Sequence, residues 1–169
     1  MLNFFLVFIC IFSLTSLSVR ADNIQIEQIG PTLKNLEKNI NRWNERYKVV
    51  EAALKEIKGI EVPIRLEEER YVGSSIQFRL PGINVTEAEL FIKKNKELGV
   101  ELKWFGNDDP IGFTSNHKSW KYVGRQQLNN SDEILSSLFD LRLPLTFSID
   151  DCMHLSKIII ECSSEFIKR

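Results

Sequence analysis

A long apolar stripe constrains the fold of this chain more than any other sequence feature. Between residues 33 and 57, apolar side chains recur at alternating steps of three and four, which is the spacing of one helix face. The stripe consists of Leu33, Leu36, Ile40, Trp43, Tyr47, Val50, Leu54 and Ile57. Pro31-Thr32 predicts where the helix begins, and Gly59 predicts where it ends. Only about four heptads are present, so packing against a domain or a dimer partner is expected rather than a coiled coil.

Alternating side chains predict a first strand from Tyr71 to Leu80, closed by Pro81-Gly82. On one side of this strand lie Val72, Ser74, Ile76, Phe78 and Leu80. The runs 100–105 and 141–145 are expected to form two further strands, and Pro144 places the last of them at a sheet edge or a strand end. Helices are predicted between these strands and at the C-terminus. This order suggests a small sheet with helices packed on one face.

The first eighteen residues form an apolar leader that has two interpretations. The run from Phe4 to Leu17 is too short for a membrane span, which needs about 20 apolar residues. It suits the core of a signal peptide, and Val19-Arg20-Ala21 offers small residues for cleavage. However, Met1-Leu2-Asn3 carries no basic side chain. The alternative is a non-native start joined to the tail of a longer protein.

Two glycosylation sequons, Asn84-Val85-Thr86 and Asn129-Asn130-Ser131, would agree with secretion. Their hydroxyl residues also lie where helices are expected to begin. Thr86 with Glu89 has the spacing of a capping box, and Ser131 precedes a short apolar run. Helix capping therefore explains both hydroxyls without glycosylation.

The composition excludes several classes of protein. Lys and Arg total 22 against 23 Asp and Glu, so the net charge of −1 gives no electrostatic basis for binding nucleic acid or an anionic membrane. Hydrophobic residues make up 43% of the chain, enough for a packed core. Cys152 and Cys162 would be roughly 15 Å apart on one helix, beyond the ~7 Å limit of a disulfide. His117 and His154 lack the spaced partners of a metal site, so none is predicted.

The local motif Ser115-Asn116-His117-Lys118 has the S-x-x-K pattern of a serine nucleophile with its lysine. The motifs that accompany this pattern in penicillin-recognising enzymes are absent. The His-Lys pair is also found at Schiff-base lysines, but those require a phosphate cup and a carboxylate for the pyridine nitrogen. We therefore assign no catalytic residue and interpret the segment as a loop that contacts a substrate or another subunit.

Several segments together resemble a known family. They are VELKWFGNDDPIGFTSNHKSW (residues 100–120), Arg42-Trp43-Asn44-Glu45-Arg46-Tyr47, the strand 72–78 and the run 141–146. In order and spacing they resemble the C-terminal small domain of DegT/StrS-type aminotransferases, which depend on pyridoxal phosphate. The resemblance covers the chain from about Val19 onward. It implies an α+β fold, the small domain of fold-type-I pyridoxal-phosphate enzymes, with a long N-terminal helix and a mainly antiparallel sheet. The expected divisions are a leader (1–18), a long connecting helix (19–59) and an α/β small domain (60–169).

Members of this family transfer an amino group to keto-sugars and related carbonyl compounds. Their cofactor is held by a lysine of the large domain, and no lysine here matches it. The resemblance thus implies a fragment or degenerate member that is inactive alone and is not expected to bind pyridoxal phosphate by itself. The family's Asn-x-Arg element, whose asparagine reaches a neighbouring subunit's cofactor phosphate, corresponds to Ser18-Val19-Arg20. Arg20 is therefore the cofactor-binding candidate, although the asparagine is absent.

The small domain of such enzymes closes the substrate cleft. On this basis the cleft-facing candidates are Lys103, Trp104, Phe105, Thr114 and His117. The long helix could join a homodimer or the missing large domain. The resemblance implies a cytoplasmic protein, whereas a true signal peptide would imply secretion. A secreted, non-catalytic α/β binding protein is the alternative function.

Overall fold

The computed structural model describes residues 34–109, 111, 116–122, 124 and 126–167. The chain divides into two compact units, Met1–Asn39 and Ile40–Arg169. Of the first unit, only residues 34–39 are described, and they include the start of the first helix. Arg20 and the leader lie outside the described residues.

Four α-helices and three short strands follow one another within the described residues. They are α1 (Leu36–Lys55), β1 (Ser75–Arg79), α2 (Val85–Glu97), β2 (Leu102–Trp104), α3 (Asn129–Ser136), β3 (Leu138–Arg142) and α4 (Ile149–Ser163). A 3₁₀ turn, His117–Ser119, lies between β2 and α3. None of these helices combines the length and the apolarity that crossing a membrane requires.

The strands form one antiparallel sheet in the order β1-β3-β2. Phe139 of β3 pairs with Phe78 on one side and with Trp104 on the other, and all three side chains are buried. The alternate positions Gln77 and Arg142 are exposed. One face of the sheet therefore carries the core, and the α+β prediction with a small antiparallel sheet is confirmed.

Three helices cover the apolar face of the sheet. Their buried residues include Tyr47, Val50 and Leu54 of α1, Ala88 and Phe91 of α2, and Cys152 and Ile159 of α4. At the centre, the Phe91 ring meets the Phe139 ring edge-on with centroids 5.0 Å apart, and Phe78 stacks on Phe139 at 5.7 Å. Such aromatic pairs add about 0.5–1.5 kcal/mol each beyond the area that they bury.

Asn44 joins α1 to the chain that leads into β1. Its Nδ2 donates to the Tyr71 carbonyl at 3.1 Å, and its Oδ1 accepts from the Gly73 amide at 2.8 Å. A Cβ on Gly73 would come within 2.4 Å of the Tyr47 Cβ, so only glycine allows the chain to pass this close to α1. Asn44, Tyr47 and Gly73 thus fix the distance between the helix and the sheet.

Two arginines of α1 hold the segment that follows β3. Buried Arg46 donates from Nε to the Phe147 carbonyl at 2.7 Å and from Nη1 to the Arg42 carbonyl at 2.7 Å. Arg42 itself donates from Nη2 to the Leu145 carbonyl at 3.3 Å. The carbonyl groups of this segment, which follow the sheet and have no strand partner, therefore accept hydrogen bonds from side chains of α1.

Several element boundaries differ from those predicted from sequence. The run from Tyr71 to Ser74 precedes β1 instead of belonging to it, and Val72 is 46% exposed. β3 begins at Leu138, earlier than the predicted run 141–145, and ends before Pro144, as its missing N–H requires. α1 ends at Lys55, and Gly59 follows it with a φ of 103°. Residues 19–33 of the predicted long helix lie outside the described residues.

The helix caps also differ from the predicted ones. α2 begins with a capping box formed by Asn84 and Glu87, not by Thr86 and Glu89. α3 has Leu128 at its N-cap position and no side-chain cap. A capping box of Ser148 and Asp151 opens α4, and the hydrogen bonds to Ser148 lower the pKa of Asp151.

Cys152 and Cys162 are buried free thiols on α4, as their helical spacing predicted. Burial raises the pKa of both thiols and so disfavours the reactive thiolate. They are components of the core.

We predict that Asn44→Ala will lower the free energy of unfolding by about 2 kcal/mol, because two partly buried hydrogen bonds are lost at about 1 kcal/mol each. Urea denaturation measures this change. Lys48→Ala, on the exposed side of α1, is the control and should change stability by less than about 0.5 kcal/mol. Equal effects of the two substitutions would show that Asn44 does not join the helix to the sheet.

Candidate functional site

A polar hollow lies between the loop after β2, the 3₁₀ turn and the first turn of α3. It consists of two cavities, of about 710 and 440 Å³, which are both lined by Asp108, Lys118 and Asp132. The larger cavity is also lined by Asp109, Ser119, Gln126, Gln127 and Asn129. The smaller one reaches Trp104 and Ser136. This volume suits a small ligand.

The turn at Gly106 brings the loop to the hollow. A Cβ at Gly106 would lie 2.4 Å from ring atoms of Trp104, so glycine is needed for the backbone to cross the indole. Trp104 is 3% exposed and donates from Nε1 to the Ser136 carbonyl at 2.8 Å. The indole therefore joins the end of β2 to the end of α3 and forms one wall of the smaller cavity.

Buried Asn116 fixes the other side of the loop. Its Oδ1 accepts from the Lys118 amide at 2.9 Å and so caps the 3₁₀ turn, while its Nδ2 donates to the Asn107 carbonyl. The Ser119 hydroxyl donates to the Asn116 carbonyl at 2.9 Å. These bonds connect the two sides of the loop and place Lys118 at the hollow.

His117 supports one of the carboxylates that line the hollow. Its side chain is 8% exposed, and its Nε2 lies 2.7 Å from Asp132 Oδ1. Because a carboxylate only accepts hydrogen bonds, Nε2 carries the proton and donates it. The Lys118 ammonium lies 3.3 Å from Asp108 Oδ1 and 3.9 Å from the same Asp132 oxygen. The Asp132 carboxylate is therefore contacted by both the buried imidazole of His117 and the half-exposed ammonium of Lys118.

The charges on the walls indicate which ligands the hollow favours. Three carboxylates (Asp108, Asp109, Asp132) and one ammonium (Lys118) give the walls a net charge of −2. Amides of Gln126, Gln127 and Asn129 add donors and acceptors for hydroxyl or amine groups. A phosphate dianion would be repelled, so these residues do not fit the phosphate of pyridoxal phosphate. Among the described residues, no group of three or more potential ligands is placed to hold a metal ion.

The structure places the cleft candidates in different surroundings. Lys103 is half-buried on β2 and lines a separate hollow with Glu101 and Arg142. Phe105 is half-buried, and its amide donates to the Leu138 carbonyl at 3.1 Å. Trp104 lines the smaller cavity, and His117 contacts Asp132 of the hollow's wall; both side chains are largely buried. Thr114, like Ser115 of the S-x-x-K motif, lies outside the described residues.

The sequence did not single out Asp132 or Asn116 as site residues. Asp132 lies in the first turn of α3, where an acidic residue is common for helix stability alone. Asp108 lies in the run Asp108-Asp109-Pro110, where an acidic residue before a proline is common for turn formation alone. No local pattern relates Asp132 to His117, because fifteen residues separate them and the contact depends on the tertiary fold.

Comparison with solved structures identifies the class of fold. Matches include 3-amino-5-hydroxybenzoic acid synthase, at 18% identity and a TM-score of 0.60, covering 79% of this chain and 36% of that one. A protein from Streptococcus pneumoniae described as a sugar aminotransferase, in its PLP form, matches at 12% identity and 0.63, covering 80% and 34%. A DegT/DnrJ/EryC1/StrS aminotransferase from Brucella abortus matches at 15% and 0.55, covering 81% and 33%.

The fold is therefore that of part of the aminotransferases, and the chain spans about a third of the length of the structures that it matches. No protein-family model matches the sequence. No curated protein is similar to it by sequence. At these identities the resemblance to DegT/StrS-type enzymes is supported at the level of the fold.

We predict that Asp132→Ala will accelerate hydrogen exchange of residues 116–122, because the bond to buried His117 is lost. A charge-assisted hydrogen bond of about 1.5 kcal/mol corresponds to roughly tenfold faster exchange. Asp150→Ala is the control, since it also removes an acidic residue from the first turn of a helix. Unchanged exchange of residues 116–122 in Asp132→Ala would contradict the supporting role of His117.

Proposed function

We propose that this chain serves as the small domain of a pyridoxal-phosphate-dependent aminotransferase acting on keto-sugars or related carbonyl compounds. In this proposal it is a fragment or a degenerate member, with the lysine-bearing large domain elsewhere, and it corresponds to the C-terminal part of such enzymes. One observation carries the proposal: aminotransferases match about four-fifths of this chain, but the matched region is about a third of their own length.

The surroundings of Lys118 argue against catalysis by this chain alone. A lysine that forms a Schiff base must offer a free amine. The amino group of Lys118 instead contacts the Asp108 and Asp132 carboxylates. The net charge of −2 on the walls of the hollow opposes a bound phosphate. The chain therefore would contribute substrate contacts, while another domain would supply the cofactor and its chemistry.

The polar hollow is the proposed site of those contacts. Asp108 and Asp132 would accept hydrogen bonds from hydroxyl or amine groups of a substrate, and His117 would hold Asp132 in place. Lys103, Trp104, Phe105 and Thr114 remain candidates for lining the closed cleft, and Arg20 remains the candidate for contact with cofactor phosphate. The long helix would connect this domain to the large domain or to a second subunit, in a cytoplasmic protein.

We predict that adding pyridoxal phosphate to the purified chain will produce no new absorbance band that depends on Lys118. Reduction with borohydride should leave no specific adduct at Lys118, as peptide mass spectrometry would show. Lys118→Met is the matched variant and should give the same spectrum as the unmodified sequence.

The proposal would be contradicted by a stoichiometric adduct at Lys118 that disappears in Lys118→Met and is accompanied by transamination. Low labelling spread over exposed lysines, equal in the two proteins, would agree with it. The comparison therefore separates a catalytic lysine from ordinary surface reactivity.

A secreted, non-catalytic binding protein is the second candidate. The specific observation in its favour is that no side chain of Asn129-Asn130-Ser131 caps α3, so capping does not explain this sequon, whereas Asn84 of the other sequon caps α2. Asn84 and Asn129 are both exposed. Cleavage near Ala21 and glycans at both asparagines, after expression in secretory cells, would favour this candidate. A retained leader without glycans would remove its support.

A further inference from the structure

The sheet face opposite the core carries a pair of opposite charges on its central strand. Asp140 and Arg142 lie two residues apart on β3 and so project from the same face. In the strand register, Gln77 and Lys103 lie directly across from Asp140 on the two sides. The helices that contribute to the core pack against the other face. This polar face is therefore not covered by α1, α2 or α4.

The carboxylate of Asp140 has no partner among the described residues. Asp140 is 7% exposed, but no hydrogen bond or ion pair reaches its side chain. The only fully buried side-chain oxygen without a partner in the described part of the chain belongs to Asn95, so the Asp140 carboxylate still reaches the surface. A largely buried charge without a partner is unfavourable, because hydration is lost and nothing replaces it.

The Arg142 guanidinium also has no charged partner among the described residues. Arg142 is exposed, and no ion pair joins its guanidinium to a described carboxylate. Glu101 and Arg142 line one hollow of about 310 Å³, but the two side chains form no ion pair with each other. At about 3.3 Å per residue, the Cα atoms of Asp140 and Arg142 are roughly 6.6 Å apart along the strand. Arg142 thus points outward, and the edge of the largely buried Asp140 carboxylate reaches the surface beside it without pairing.

We propose that this face binds a second copy of the chain about a two-fold axis that passes near Leu141. An interface of this symmetry brings residue i of one copy against residue j of the other, and j against i. With the two β3 strands antiparallel across the axis, each Asp140 would face the second copy's Arg142. Each of these charges would then gain one partner, which gives two ion pairs in the dimer. The face is self-complementary, which favours a second copy over an unrelated partner.

The charges also set the expected strength of the dimer. The face is polar and only three strands wide, so it lacks the apolar centre of a permanent interface. Association should be weak and should decrease when salt screens the two ion pairs. This inference stands independently of the proposed aminotransferase role.

Sedimentation equilibrium of the purified chain over a range of concentrations tests the proposal. We expect a monomer–dimer equilibrium that weakens in 0.5 M salt. Arg142→Asp should raise the dissociation constant on the order of tenfold or more, because like charges then face each other. Lys157→Asp, an equal charge reversal at an exposed position of α4, should leave the dissociation constant unchanged.

Restoration of complementary charges provides the decisive comparison. Arg142→Asp combined with Asp140→Arg should recover the original dissociation constant within about threefold, since the pairs are reversed. If the double variant does not fold, Asp140→Asn supplies the second test and should weaken association without lowering stability. The proposal is overturned by a chain that stays monomeric at all concentrations, or by a dimer that Arg142→Asp does not weaken.

Discussion

The close contact between α1 and the chain entering β1 is the constraint on which the rest of the structure depends. Asn44 bonds the backbone on both sides of Val72, and Gly73 lies against Tyr47 where no larger residue could fit. Since β1 pairs with β3, this contact sets the position of the central strand relative to the helix. Arg46 then joins the same helix to the segment after β3.

From this framework the positions of the polar residues follow. β2 pairs with β3 on the side away from β1, and buried Trp104 connects β2 to the end of α3. The loop that leaves β2 must therefore return beside the first turn of α3. His117 meets Asp132 there, and Lys118 meets both Asp132 and Asp108. The shape of the hollow therefore depends on the short strand β2, the turn at Gly106 and the buried side chain of Asn116.

The sequence predicted those features that depend on local periodicity. The apolar stripe predicted that Tyr47, Val50 and Leu54 form the buried face of α1. The alternation of β1 predicted that Ile76 and Phe78 face the core. The sequence was a poorer guide to the ends of helices, because side-chain hydrogen bonds determine where a helix begins. Asn84 caps α2 because its side chain reaches the Glu87 amide, and nothing in the pattern ranked it above Thr86.

The candidate site was predictable only in part, because its contacts join distant segments. Of the candidates that the family resemblance implies, Trp104 lines the smaller cavity and His117 contacts Asp132, which lines both. Asp132 resembled an ordinary helix-start residue until the fold placed it against a buried imidazole. The same reason applies to Asp140 and Arg142, whose charges become unusual only when the sheet shows that neither is paired.

The mass and composition of the protein in its native cells test the central claim most directly, that this chain works with a cofactor-bearing domain. Intact mass spectrometry after native purification should find it continuous with, or bound to, a domain that carries pyridoxal phosphate on a lysine. The combined length should be a little over twice that of this chain, because about four-fifths of this chain corresponds to about a third of the matched structures. A free chain with its leader removed and glycans at Asn84 and Asn129 would contradict the account.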